Sequence, residues 1–387
     1  MAAPLNGLRV VELARILAGP WMGQTLADLG ADVIKVEAPE GDDTRKWGPP
    51  FTTNVDGTNA DAAYFHCCNR GKRSVIADFN SAEDRDFVVR LIDRADVVIE
   101  NFKCGNLEKY GLDYRSLSAT NPRLVYCSVT GFGQDGPYAA RAGYDAMIQA
   151  MSGIMDLTGS PDGEPQKIGV AFADIFTGVY GVIAIQAALA QRQLTGVGQH
   201  IDMALLDVMV SVLANQALNY LVSGNPPHRL GNAHPNIVPY QTFAVQDGHV
   251  MIAVGNDAQF IRLCTVLELP LLATDPRYGS NADRVRERAG LVETLAKRFS
   301  ELKRDELLAK LEAAAIPAGP INTLRDIFAD PQIAFRKMKL DLADPSYAGG
   351  VIPTVRSPMQ FSRASLAIGR ASPRLGEHTA EVKAEIL

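Results

Sequence analysis

Basic charge is not in excess in this chain: 38 Lys and Arg stand against 44 Asp and Glu, a formal net charge of −6. Nothing in that balance draws nucleic acid, and any anionic ligand must be held locally. Cysteine is scarce as well. The five present, Cys67, Cys68, Cys104, Cys127 and Cys264, are odd in number and lack the spaced pairs of a zinc site or a disulfide framework. They read as reduced thiols. The six histidines, His66, His200, His228, His234, His249 and His378, are scattered without ligand spacing, so no metal is expected. The chain has no P-loop, no G-x-S-x-G nucleophile elbow and no H-E-x-x-H helix, which removes the usual signals of NTPases, serine hydrolases and zinc peptidases. No apolar run approaches a membrane span, since even Val179 to Ala190 is interrupted by Gly181 and Gln186. The opening MAAPLNGLRVVELA carries neither a secretory nor a transit pattern, so a cytoplasmic enzyme with no membrane or nucleic-acid partner is the expectation.

What is there is an ordinary globular composition, 47% hydrophobic and 21% charged, over 387 residues. GLRVVELA, DVIKVE, RSVIADF, DVVIENF and RLVYCSVTGFG read as short buried strands, with WMGQTLADLGA and SAEDRDFVVRLIDRA as intervening helices. This alternation predicts a Rossmann-like α/β domain with a parallel sheet covered on both faces. Glu37, at the end of the second strand, would suit a dinucleotide fold, but the first turn reads ARILAGP and lacks G-x-G-x-x-G, which discounts a nicotinamide cofactor. A long helix runs from Asp174 to the Gly196/Gly198 stop, QHIDMALLD forms a further strand, and VMVSVLANQALNYLV forms another helix. The loop SGNPPHRLGNAHPNIVP then breaks the pattern. Beyond it, YQTFAV and HVMIAV form a hairpin about Asp247-Gly248, and helices follow over 257–269, 282–300 and 303–316. The domain expectation is therefore 1–222 as the large α/β domain, 223–325 as linker and small α+β domain, and 326–387 as a return to the first. The charged run with Arg284, Arg286 and Arg288 reads as a solvated helix face in preference to an anion site.

One carboxylate poses a chemical question. Asp174, in GVAFADIFTG, stands at the head of an apolar helix among small neighbours. Such an Asp can cap the helix by accepting its free N–H groups. It can also act as a nucleophile toward a thioester, with the helix N-terminus favouring its ionised form. The residues alone leave both roles open.

From end to end the chain resembles the class III CoA transferases, the CaiB/BaiF family. The resemblance is carried by GLRVVELARILAGP, LADLGADVIKVEAPEGDDTR, NRGKRS, DVVIENFKCGNLEKYGL, SVTGFGQDGP, RAGYD and GVAFADIFTG. It implies that Asp174 is the nucleophile, forming a mixed anhydride and then an enzyme–CoA thioester. Where racemases of the family place a His, this chain has Tyr144, followed by Asp145. Tyr is a poor base near neutral pH, which favours transfer over racemisation or isomerisation, with Tyr144 and Asp145 orienting the acyl group. A non-catalytic CoA-binding protein is the third alternative. By the same resemblance CoA contacts fall on Ile16, Ala18, Lys72, Arg73, Asn101, Lys109 and Tyr110, and a lid falls on Gly255 and Asn256. Ala38 occupies a position that is basic in some members, so that anion contact either comes from elsewhere, with Arg45 as the candidate, or is absent. CoA and its acyl esters are implied as substrates, with no tightly bound cofactor, and an interlocked homodimer is implied as the assembly. LAGPWMGQTLADLGADVIKVE, GDDTRKWGPPF, GNAHPNIVPYQTF and PAGPIN look most like the branch that moves CoA between succinyl-CoA and glutarate or related dicarboxylates. Arg45, Arg70 and Arg141 are the candidates to meet a remote carboxylate.

Overall fold

The structure is a computed structural model that describes residues 2–386. Its centre is a parallel sheet of six strands: β1 (Arg9–Glu12), β2 (Asp32–Glu37), β3 (Arg73–Ile76), β4 (Val97–Glu100), β5 (Val125–Thr130) and β6 (His200–Ala204). They lie side by side in the order β3-β2-β1-β4-β5-β6, the doubly wound arrangement in which strand order reverses between β1 and β4. Register is set by pairs such as Val10 with Val33 and Val97, so that Val10, Val11 and Glu12 are paired on both sides. The side chains alternate between faces. Val10 points into a core with Met22, Leu26, Ile99, Cys127 and Ile185, while Val11 points into the opposite core with Ile34, Phe87, Leu91 and Tyr126. Burial on both faces is why these strands are continuous apolar runs.

The helix Phe172–Thr195 packs along Ala18–Asp28 on the first of these faces. Close approach is possible because Gly178 lacks a Cβ: one added there would sit 2.9 Å from Trp21 Cδ1 and 3.1 Å from the Ala18 carbonyl oxygen. This helix corrects one expectation. Gly181 and Gln186 do not interrupt it, and at 24 residues, with an 18-residue stretch of mean hydropathy 1.6, it is long and apolar enough to cross a membrane, although core helices meet the same criterion. A second correction concerns VMVSVLANQALNYLV, which forms two helices, Leu205–Ser211 and Ala214–Ser223, bent by 73° at a break where Ala214 takes φ 45°.

The chain divides into two units. The first combines the chain up to Ile154, Lys167–Gly224 and the chain from Pro331; it contains the parallel sheet. The second combines Met155–Gln166 with Asn225–Asp330, so a segment inside the span 1–222 groups with the second unit. Gly231 N donates to the Gly159 carbonyl oxygen and Arg229 pairs with Asp156, which ties that segment in. The second unit is an antiparallel sheet of Tyr240–Val245, Gly248–Ala253 and Ala318–Pro320 covered by helices around Phe260, Leu263, Leu291, Leu295 and Phe299. Arg284 is fully buried there rather than on a solvated face. It donates to the carbonyl oxygens of Val238 and Tyr278 and pairs with Asp257 at 2.7 Å.

Candidate active site

Where the strand order reverses, the segments leaving β1 and β4 diverge and open a crevice at their C-terminal ends. A cavity of about 230 Å³ lies there, lined by Arg15 to Ala18 after β1, Asn101 to Cys104 after β4, Val129 to Gly131 at the end of β5, the loop Ala139 to Tyr144, and Asp174. A second cavity of about 230 Å³ extends from the ends of β1, β2 and β3 and includes Ala38, Asp78 and Phe79. Arg15 and Phe102 line both.

Asp174 sits in the first turn of Phe172–Thr195 but does not cap it. The N-cap position is Ala171, which offers no side-chain acceptor. That task falls to Asp145, 29 residues before Asp174, whose Oδ1 accepts from Ala173 N at 2.8 Å and Asp174 N at 3.4 Å while Oδ2 accepts from Gln149 Nε2 at 2.7 Å. The Asp174 carboxylate is thereby left without a hydrogen bond among the described residues. Burial, reinforced by the charge of Asp145, pushes its pKa up to about 7. A free carboxylate poised near neutrality, in a crevice, is equipped to attack an electrophile.

The loop that carries Tyr144 is brought to the sheet by a glycine pair. A Cβ on Gly143 would fall 2.4 Å from Gly131 Cα, so two bare backbones meet at the cavity wall. Tyr144 itself is 62% exposed and lines the cavity. Tyr64 was not singled out from sequence. Its phenol is held well above the ordinary range by burial and by the charges of Asp174 and Asp145, which places it beside the pair as a neutral hydroxyl. The Trp47 ring packs edge-on against it at 5.3 Å. No spacing in the sequence connects Tyr64 to a carboxylate 110 positions away.

Several expected contacts are placed elsewhere. Lys72 is fully buried: its ammonium lies 2.8 Å from Glu12 and donates to the Pro20 carbonyl oxygen and Asn69 Oδ1. Arg73 is engaged by Asp32, Glu381 and Glu385. Arg45 is clamped by Glu37 and Asp61, both at 2.7 Å, and Arg70 by Asp28 together with Thr354 and the Val355 carbonyl oxygen. Each of these four cations is already engaged by a carboxylate, and none of them lines the cavity that holds Asp174. Lys109 and Tyr110 are outside the cavity walls, the ammonium lying 4.7 Å over the Tyr110 ring and that ring meeting Phe79. Gly255 and Asn256 belong to the second unit, where Asn256 caps Asp257–Val266 through Gln259 N and Gly255 N donates to Gln259 Oε1. Arg141 does line the cavity, its guanidinium 4.4 Å over Tyr138 and 5.4 Å over Phe132, with no acid paired to it among the described residues. Ile16, Ala18, Asn101, Tyr144 and Asp174 share that wall.

Residues 5–379 match the family described as CoA-transferase family III. A succinate–glutarate CoA-transferase of Agrobacterium fabrum is 56% identical over 384 residues, covering 99% of this chain and 96% of that protein. A succinyl-CoA:glutarate CoA-transferase of Mus musculus is 41% identical over 99% of this chain and 86% of its own. The crystal structure of a CaiB/BaiF family protein from Brucella suis superposes with a TM-score of 0.89 at 62% identity, covering all of both chains. With its doubly wound sheet and an unpartnered aspartate at the point of strand reversal, the chain belongs to CoA-transferase family III.

Proposed function

We propose that this CoA-transferase moves CoA from succinyl-CoA to glutarate, with Asp174 as the covalent carrier. The observation that carries the reading is the Asp174 carboxylate, lining the cavity without a hydrogen-bond partner and titrating near neutrality. In its ionised form an Oδ attacks the thioester carbonyl carbon, the C–S bond breaks, and the electron pair leaves on the CoA sulfur. The product is a mixed anhydride of Asp174 and succinate. The thiolate then attacks Asp174 Cγ, which releases succinate and leaves CoA esterified to the enzyme. Glutarate reverses the sequence: its carboxylate displaces the thiolate from Cγ, and the thiolate takes the glutaryl carbon from the anhydride, restoring the free aspartate. Atoms and charge balance without metal or redox chemistry.

The two cavities that share Arg15 and Phe102 suit an elongated ligand, with the pantetheine and thioester beside Asp174 and the adenosine toward Ala38 and Phe79. Of the three arginines considered for an anionic group of the substrate, Arg141 is the one on the cavity wall. Tyr144 brings a phenol to the cavity wall, and no histidine lines the cavity, which disfavours two-base racemisation. The names of the Agrobacterium and mouse relatives support succinate and glutarate as the acid pair.

A homodimer belongs to the same proposal. Val179, Tyr180 and Ile183 on Phe172–Thr195, with Leu218, Tyr220, Leu221 and Val222 on Ala214–Ser223, are exposed apolar groups of the kind a second copy covers. Gel filtration returning only monomer would remove this part.

The decisive experiment is intact mass after adding succinyl-CoA, with hydroxylamine to trap the activated acyl group. Wild type should carry a CoA adduct that hydroxylamine converts to a hydroxamate on Asp174. Asp174→Ala should carry none and should lose at least about a thousandfold in exchange rate. Exchange at the normal rate by that variant refutes the carrier role; a wild type that turns over only monocarboxyl acyl esters refutes the acid pair.

A further inference from the structure

Segment Ala14–Ile16, which leads from β1 to the cavity wall, belongs to no regular element, yet its polar backbone groups are held almost completely by side chains. The Ala14 carbonyl oxygen accepts from Lys35 Nζ at 2.8 Å. Arg15 is bound at both ends by Asn101, whose Oδ1 accepts from Arg15 N at 3.0 Å and whose Nδ2 donates to its carbonyl oxygen at 2.6 Å. Ile16 N donates to both oxygens of Asp42, at 3.3 and 3.2 Å, and the Ile16 carbonyl oxygen accepts from Cys68 Sγ at 3.5 Å. Four side chains, from four separate parts of the chain, replace the ladder that a strand would have given.

The conformation they hold is a costly one. Ile16 has φ 73°, in the left-handed region that a β-branched side chain resists. Such a residue persists only where its surroundings over-determine it, and it is commonly found where a ligand is clamped. The supports are themselves anchored. Lys35 lies 3.1 Å from Glu12 and 2.9 Å from Asp42, Glu12 also meets Lys72, and these four side chains are buried. Two ammoniums and two carboxylates, formally neutral together, form a rigid base beneath a segment that lines the same cavity as Asp174. Breaking any one member strands a buried charge, so the base does not readily rearrange.

We propose that Asn101, Asp42, Lys35 and Cys68 are positioning residues that preset Ala14–Ile16 in its left-handed turn as the docking wall for the CoA thioester. The proposal rests on the reading that this cavity takes the acyl-CoA, and it gives Asn101 and Lys35 the role of holding the segment in shape. A preformed wall lowers the ordering cost of binding, so its loss weakens binding of the CoA ester while leaving the chemistry at Asp174 intact.

The test uses two variants that reach the segment from opposite sides. Asn101→Ala acts at the partly exposed edge; Cys68→Ala acts from a fully buried position outside the cavity lining. Amide hydrogen exchange in the ligand-free enzyme should be at least about tenfold faster at Arg15 in Asn101→Ala, and faster at Ile16 in both. KM for succinyl-CoA should rise about tenfold in Asn101→Ala and by a smaller factor in Cys68→Ala, with kcat and the KM for glutarate unchanged. Unaltered exchange at these amides overturns the proposal. So does a KM effect confined to Asn101→Ala, which would make Asn101 a direct ligand. If wild type forms no CoA adduct at Asp174 while the exchange effects remain, the functional reading fails and the clamp stands.

Discussion

The two aspartates of the site divide the work between them: Asp145 satisfies the helix N–H groups, and Asp174 is consequently free and half protonated near neutrality. Since the ionised carboxylate is the nucleophile, kcat/KM for succinyl-CoA should fall as pH drops through about 7, which a pH–rate profile measures directly. Asp145→Asn keeps an acceptor for Ala173 N but removes the neighbouring charge. The acid limb should then move to lower pH, and only in part, because burial is the larger cause of the shift. A limb that stays fixed would show that the charge of Asp145 is not felt at Asp174. Asp174 was legible in the sequence because GVAFADIFTG places it at the head of an apolar helix, but its capping role was not decidable there. Capping by Asp145 is a tertiary contact with no local signature. Lys72, Arg73, Arg45 and Arg70 show the same limit: a cation near a ligand motif and a buried cation held by acids have the same letter, and only burial separates them.

At the scale of elements, the site depends on how closely Phe172–Thr195 lies on Ala18–Asp28, because the N-terminal ends of both helices line the cavity. Gly178→Val places side-chain atoms against Trp21 and the Ala18 carbonyl oxygen, and the helices must part. The expected loss is about 1–3 kcal/mol, read from urea unfolding, with a fall in activity larger than the stability change accounts for at the assay temperature. Wild-type stability in this variant would mean that the helix contact is not close-packed. The five N-terminal strands and the parallel sheet were legible because strands buried on both faces are unbroken apolar runs. The break between Leu205–Ser211 and Ala214–Ser223 was not: VMVSVLANQALNYLV contains neither Gly nor Pro, and the left-handed Ala214 that turns the chain has no sequence marker.

At the scale of the molecule, each unit is assembled from separate stretches of chain. Met155–Gln166 belongs with Asn225–Asp330, and the first unit regains the chain from Pro331. The hairpin and helices after 240 signalled a second unit, whereas the small excursion at 155–166 has too few apolar residues to announce a core of its own. The helix Thr379–Ile386 inserts Val382 and Ile386 into the core beneath β3, and its Glu381 and Glu385 hold Arg73. A chain stopped after His378 should therefore expose an apolar trough and leave the buried Arg73 with Asp32 as its one acidic partner. It should bind a hydrophobic dye and aggregate on expression; a soluble, cooperatively melting product would contradict this role for the helix. Arg73 and Glu385 are 312 residues apart. During synthesis the nascent sheet accordingly leaves the ribosome with one flank uncovered and stays so until the residues around Glu385, some three hundred positions later, have been made.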